Sequence, residues 1–105
     1  MAKSVTVIRM EFNKANHQAD KLDRLAGELR QIANDRFAGC LSEINNAWKS
    51  DSSTKYIKKG RQLQEEIRQR AKELENTARA IRTIAKNTYN AEMRARQIAQ
   101  QRKYH

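Results

Sequence analysis

Few side chains in this sequence belong to the types that perform chemistry: Cys40, His17, His105 and the carboxylate pairs Glu65–Glu66 and Glu73–Glu75. A thiolate nucleophile needs a base within hydrogen-bond reach, and a zinc site needs several Cys or His at short spacings. Neither histidine stands near Cys40 in such a spacing. A single cysteine excludes an internal disulfide and fits synthesis in a reducing cytosol. Cys40 therefore reads as a small apolar helix residue, and His17 as a solvated one. The carboxylates lie among Lys and Arg at the i,i+3 and i,i+4 spacings of surface ion pairs. There is no Gly-rich phosphate loop and no nucleophile elbow. Catalytic carboxylates would also need a pocket that two helices alone do not enclose. The expectation is a chain that is not an enzyme and holds no metal or cofactor.

The elements that must position these residues are helices. Proline is absent, glycine occurs only at Gly27, Gly39 and Gly60, and strong helix formers dominate. Residues 5–12 give a weak alternating signal, with Ile8, Met10 and Phe12 set against Arg9 and Glu11. One strand cannot make a sheet, so an extended lead-in or an early helix start is expected, with Asn13 as a candidate N-cap. From Lys14 the apolar residues fall three or four apart: Leu22, Leu25, Leu29 and Ile32 with Ala33, then Phe37, Cys40 with Leu41, Ile44 and Trp48 after a one-residue shift. The four-residue step is a stutter, which keeps a helix nearly straight against its neighbour. Gly27 and Gly39 inside this helix are explained by close approach of the neighbour or by plain tolerance.

Asn45, Asn46, Ser50, Asp51, Ser52 and Ser53 then form a cluster of turn and cap formers around the only tryptophan. Ser52, Ser53 or Thr54 is expected to cap the next helix, and Asp51 suits its dipole. A second, longer pattern follows through Leu63, Ile67, Leu74, Ile81 and Ile84, interleaved with Gly60, Ala71, Ala78 and Ala85. Large residues alternating with alanines favour tight antiparallel packing. The predicted fold is all-α: a single helical-hairpin domain over residues 1–105, with helix 1 over about 14–46, a turn over about 47–53 and helix 2 over about 54–102. Residues 97–105, poor in apolar side chains, are expected to fray.

Net charge is +10, from 22 Lys/Arg against 12 Asp/Glu. Residues 1–52 hold 8 cations against 7 anions, and residues 53–105 hold 14 against 5, so the excess belongs to the second half. Lys55, Lys58, Lys59, Arg61, Arg68, Arg70, Lys72, Arg79, Arg82 and Lys86 invite an acidic partner, a nucleic acid or an anionic surface. They ring the helix rather than form one face, and aromatics for base stacking are scarce, so nucleic acid is the weaker reading. With 38% hydrophobic and 32% charged residues, the hairpin leaves an apolar stripe that a partner chain is expected to cover. No apolar run reaches the roughly 20 residues of a membrane span. The patch Val5–Ile8 is too short and too soon charged for a secretory signal peptide.

The central run Asn46-Ala47-Trp48-Lys49-Ser50 resembles the W-x-G turn of the WXG family, the small ESAT-like substrates of type VII secretion. The likeness extends over nearly the whole chain, through Ser53-Thr54-Lys55-Tyr56, Leu63, Ile67 and Leu74 to Ile84-Ala85 and Tyr89. Ser50 stands where the family has glycine. The family's Y-x-x-x-D/E export signal appears as Tyr89 and Glu92, with the acid three residues on and Met93 at the fourth. The resemblance implies a hairpin that dimerises with a copy or paralogue into a four-helix bundle, and export by an ATPase-driven membrane machine, alone or as helper to a larger toxin. It also implies a composite of Trp48 with Tyr89 and Glu92 of the partner subunit. The expected function is thus a type VII secretion substrate or targeting partner, made in the cytoplasm and secreted without a cleaved signal peptide. Its expected partners are a second copy, a paralogue or an acidic helical effector domain, together with the secretion ATPase. The alternatives are a basic coiled-coil module for nucleic acid or anionic membrane, and a purely structural coiled coil.

Overall fold

The computed structural model of the protein describes residues 3–48 and 51–104, all helical apart from short ends. Helix α1 runs Val5–Gln31, a π-helical turn follows over Ile32–Phe37, α2 spans Ala38–Ala47 and α3 spans Asp51–Tyr104. The chain is an all-α helical hairpin, as its periodicity predicts.

The helix ends are set locally. Of the two alternatives for residues 5–12, the early helix start holds: α1 begins at Val5, and Ser4 caps it rather than Asn13. The Ser4 hydroxyl accepts from the Val7 N–H at 3.2 Å, and the Ser4 carbonyl accepts from the Ile8 N–H at 3.0 Å. A serine side chain takes up an orphan donor of the first turn, and Asn13 lies too far inside the helix to do so. The apparent alternation dissolves at helical period, since Ile8 is fully buried, Phe12 is half-buried four residues on, and Met10 faces outward. At the other end, α3 already includes Asp51, so Ser52, Ser53 and Thr54 belong to its first turn and Asp51 faces the positive end of the dipole. Helix α3 also continues to Tyr104 through the stretch expected to fray.

The residues group into two compact units, 1–22 with 76–105 and 23–75. In each, a stretch of α3 runs antiparallel to the earlier helices, because partners on one side rise in number as those on the other fall. In the first unit Lys3 meets Glu92, Phe12 meets Tyr89 and Asp20 meets Arg82. In the second, Arg30 meets Glu75, Asn34 meets Arg68 and Trp48 meets Tyr56.

Each unit is centred on small side chains. Ala19, Ala78 and Ala85, with Ile8, are buried in the first; Ala26, Ala33 and Ala71, with Ser53, are buried in the second. Alanine at every seventh position keeps one narrow seam free of bulk, so two helix backbones approach closely and the larger residues are displaced to the flanks. Leu22, Leu29, Phe37, Leu41, Ile67, Leu74 and Ile81 are accordingly half-buried, and Leu25, Ile32, Ile44, Leu63 and Ile84 are exposed. Among the described residues, the inner seam of one chain is alanine, joined by Ile8, and its other large apolar residues form the borders.

Candidate functional site

Two clusters gather the residues that the sequence singles out. The first lies in the second unit, around Trp48. Helix α2 stops there: Trp48 leaves helical geometry (φ −139°, ψ 95°) while its N–H still reaches the Ile44 carbonyl at 2.9 Å. Its indole does not plug a core. It remains 46% exposed and packs against the Tyr56 ring on α3, with centroids 5.6 Å apart and planes tilted by 36°. Aromatic pairs at this separation attract one another, so part of the indole lies against α3 while the rest faces outward. Ser50, the other member of the turn motif, lies outside the described residues, as does Lys49.

The approach to Trp48 is set by the π turn. The register shift after Ile32 is present, and a widened turn over Ile32–Phe37 absorbs it in place of an unbroken α-helix. The run Asn34-Asp35 is weakly helix-forming, which lowers the cost of departing from α geometry there. Helix α3 secures the turn. The Gln64 side-chain amide donates to the Ala33 carbonyl at 2.6 Å, and Arg68 Nε donates to Asn34 Oδ1 at 2.9 Å. Just beyond, Leu41 lies over Gly60, where a Cβ would overlap its Cδ2 atom. Close approach is therefore the role of Gly60. At Gly27 and Gly39 an added Cβ would meet nothing within 4 Å, so the close-approach explanation fails for both and tolerance remains.

The second cluster lies in the first unit and contains Tyr89 and Glu92. Tyr89 packs on Phe12, with ring centroids 5.0 Å apart. Glu92 accepts from Lys3 Nζ at 3.0 Å, and the same ammonium reaches Glu11 at 2.8 Å. Both carboxylates, Glu11 first and Glu92 second, raise the Lys3 pKa above its ordinary value. Beside them runs an open, mainly apolar groove of about 230 Å³, bounded by Ile8, Phe12, Ile84, Ala85 and Tyr89, with Glu11 and Glu92 at its rim. The Y-x-x-E pair thus lies on one face of α3, at the border of an apolar groove, with its acid already held by a cation. Sequence reading missed Lys3 here; its position ahead of a helix start at Val5 is the signal that would have found it.

Electrostatics elsewhere are those of a solvated surface. Arg68 with Glu65 (3.1 Å) and Arg70 with Glu73 (2.7 Å) are i,i+3 pairs, while Arg82 with Asp20 (2.7 Å) crosses between helices. Arg30 forms a two-pronged pair with Glu75, which raises its pKa further. By contrast, Lys55, Lys58, Lys59 and Arg61 make no ion pair among the described residues. Cys40 and His17 are exposed, and no group of His, Cys, Asp or Glu among the described residues is placed to hold a metal ion. No helix of the described residues is long and apolar enough to cross a membrane. Comparison with protein-family models, curated proteins and solved structures finds no match for this chain.

Proposed function

We propose that this protein is a non-enzymatic, WXG-type substrate or targeting partner of type VII secretion, acting as half of a four-helix bundle. The observation that supports it best is the exposure of Trp48 at the end of α2, packed against Tyr56 of α3. A residue kept only to fill the bend would be buried. An ordered, half-exposed indole has the properties of a recognition anchor. Tyr89 and Glu92, together on one face beside an apolar groove, supply the second element that such a reading requires. The exposed Leu25, Ile32 and Leu63 of the second unit, and Ile84 of the first, are apolar side chains that a second hairpin would cover.

The partner is a second copy, a paralogue or an acidic helical effector domain; the excess of cations on α3 favours the acidic partner. Export is tested by deleting the secretion ATPase in the natural host and comparing the protein in culture medium and cell pellet. Retention in the pellet is the expected result, and undiminished release removes the proposal. Trp48→Ala is expected to abolish export without loss of helix content.

One observation favours a second reading. Lys55, Lys58, Lys59 and Arg61 lie within two turns of each other beside the Trp48–Tyr56 pair. Four unneutralised cations with neighbouring aromatics suit an anionic polymer or a lipid surface. Anisotropy titrations with a single-stranded oligonucleotide at low and physiological salt separate the readings, because counterion release makes phosphate binding steeply salt-dependent.

A further inference from the structure

Helix α3 carries a second stripe besides the seam that packs on the earlier helices. From Tyr56, every seventh residue of this one helix is exposed: Leu63, Arg70, Thr77, Ile84, Ala91 and Ile98. Tyr56, Leu63, Ile84 and Ile98 are large, and each leaves between 45% and 64% of its surface open to solvent. The buried seam residues Ala71, Ala78 and Ala85 keep the same period. Ile84 precedes Ala85 by one residue, about 100° of rotation, so the stripe follows the seam at a constant offset. Outward in both directions from Glu73–Leu74, the stripe reads alike. Arg70 and Thr77 come first, Leu63 and Ile84 next, and Tyr56 and Ala91 after them.

We infer that this stripe is the contact with a second copy of the chain, and that the two α3 helices pair antiparallel about a two-fold axis at Glu73–Leu74. Leu63 then faces Ile84 of the partner subunit, and Tyr56 faces Ala91 of the partner subunit. Polar Arg70 faces Thr77 of the partner subunit, and the two-fold repeats every pair. Half-buried Leu74, beside the stripe, meets its own counterpart at the axis. Ile98 lies beyond the start of α3 in the second copy. Charge selects the same pairing. Lys55, Lys58, Lys59 and Arg61 would stack on their own counterparts in a parallel pair. In the antiparallel pair they lie beside residues 86–92, where the charges of Lys86 and Glu92 cancel. Moving the axis half a heptad toward the N-terminus sets Arg70 on its own counterpart. Moving it as far the other way sets Arg70 on Ile84 of the partner subunit. At Glu73–Leu74, each Arg70 comes within about one helical turn of Glu73 of the partner subunit, the carboxylate type it already binds in its own chain at 2.7 Å. The inference deepens the two-hairpin reading: it rests on a second copy being the partner and not on secretion.

Disulfide trapping reads the register, because two thiols join only when their Cβ atoms lie about 3.5–4.5 Å apart. Cys40, itself exposed, is first replaced by Ser in the full-length chain. In that background Leu63→Cys and Ile84→Cys are purified separately, checked for helix content by circular dichroism, and oxidised alone and as a mixture. Tyr56→Cys with Ala91→Cys forms a second pair, also at exposed positions. The chain is expected to sediment as a dimer. Each mixture is expected to give at least about tenfold more linked dimer than either of its variants alone. Position 63 lies about 31 Å along α3 from position 63 of the second copy in this register, too far to link. Linking of a variant with itself overturns the register. So does the absence of linking in both mixtures when the chain sediments as a dimer, and either result leaves the second-copy reading standing. Sedimentation as a monomer at every concentration removes both. Export is decided separately, by the strain lacking the secretion ATPase.

Discussion

The three glycines have two different roles. Gly27 and Gly39 stand in open helix surface, so Ala there gains helix propensity at no steric cost. Gly27→Ala and Gly39→Ala are each expected to raise stability by about 0.5–1 kcal/mol in urea titrations. Gly60→Ala meets Leu41 and is expected to fall short of that gain, recovering it in a Leu41→Ala background. The spacing of apolar residues placed Gly60 in the seam of the second helix, where Leu41 meets it, and left close approach or tolerance open for Gly27 and Gly39. Lys3 provides a pH signature at the same scale. Its pKa is raised in the fold, so its contribution is complete below the ordinary lysine value of 10.5 and is lost as pH rises through the higher folded value. The gap in urea midpoint between wild type and Lys3→Met should hold constant from neutral pH up to about 10.5 and close above it, as pH rises toward the higher folded value.

Among the elements, the π turn departs furthest from what the sequence dictates locally. The four-residue step from Ala33 to Phe37 was legible, and a stutter in a straight helix was its simplest reading. Tertiary contacts decide otherwise: Leu41 fits the notch at Gly60, and Gln64 and Arg68 reach the widened turn. Gln64→Ala, which deletes the donor to the Ala33 carbonyl, is expected to cost about 1 kcal/mol. It should also speed amide hydrogen exchange within 32–38 ahead of the rest of the chain. Uniform exchange across the second unit would show that Gln64 does not secure the turn. The start of α1 teaches a related lesson. Eight residues rich in Val, Ile and Phe mimic a strand, yet Ser4 caps a helix through them because Ile8 and Phe12 find burial at helical period.

For the whole molecule, the hairpin and its antiparallel sense were legible from two long apolar periods split by one polar turn. The division of labour between alanines and large residues was only half legible. Alternation showed tight packing; it could not show that the alanines take the inside of one chain and leave Leu25 and Ile84 outside. That arrangement predicts association. Leu25→Asp and Ile84→Asp are expected to leave helix content intact while shifting the sedimentation coefficient to that of a monomer. They should also remove the concentration dependence of the melting temperature. An unchanged sedimentation profile in both variants would show that these flanks are not the contact. The alanine seam has a mechanical side too. Near the paired ends, where Lys3 holds Glu92, tension on the two termini would peel the helices apart sequentially rather than shear them. Past Ile8, each heptad released gives up two buried alanine methyls, at about 0.8 kcal/mol apiece, together with the half-buried residues at its borders. A protein built in this way yields to gentle pulling from its ends, turn by turn, and closes again without having to re-sort its core.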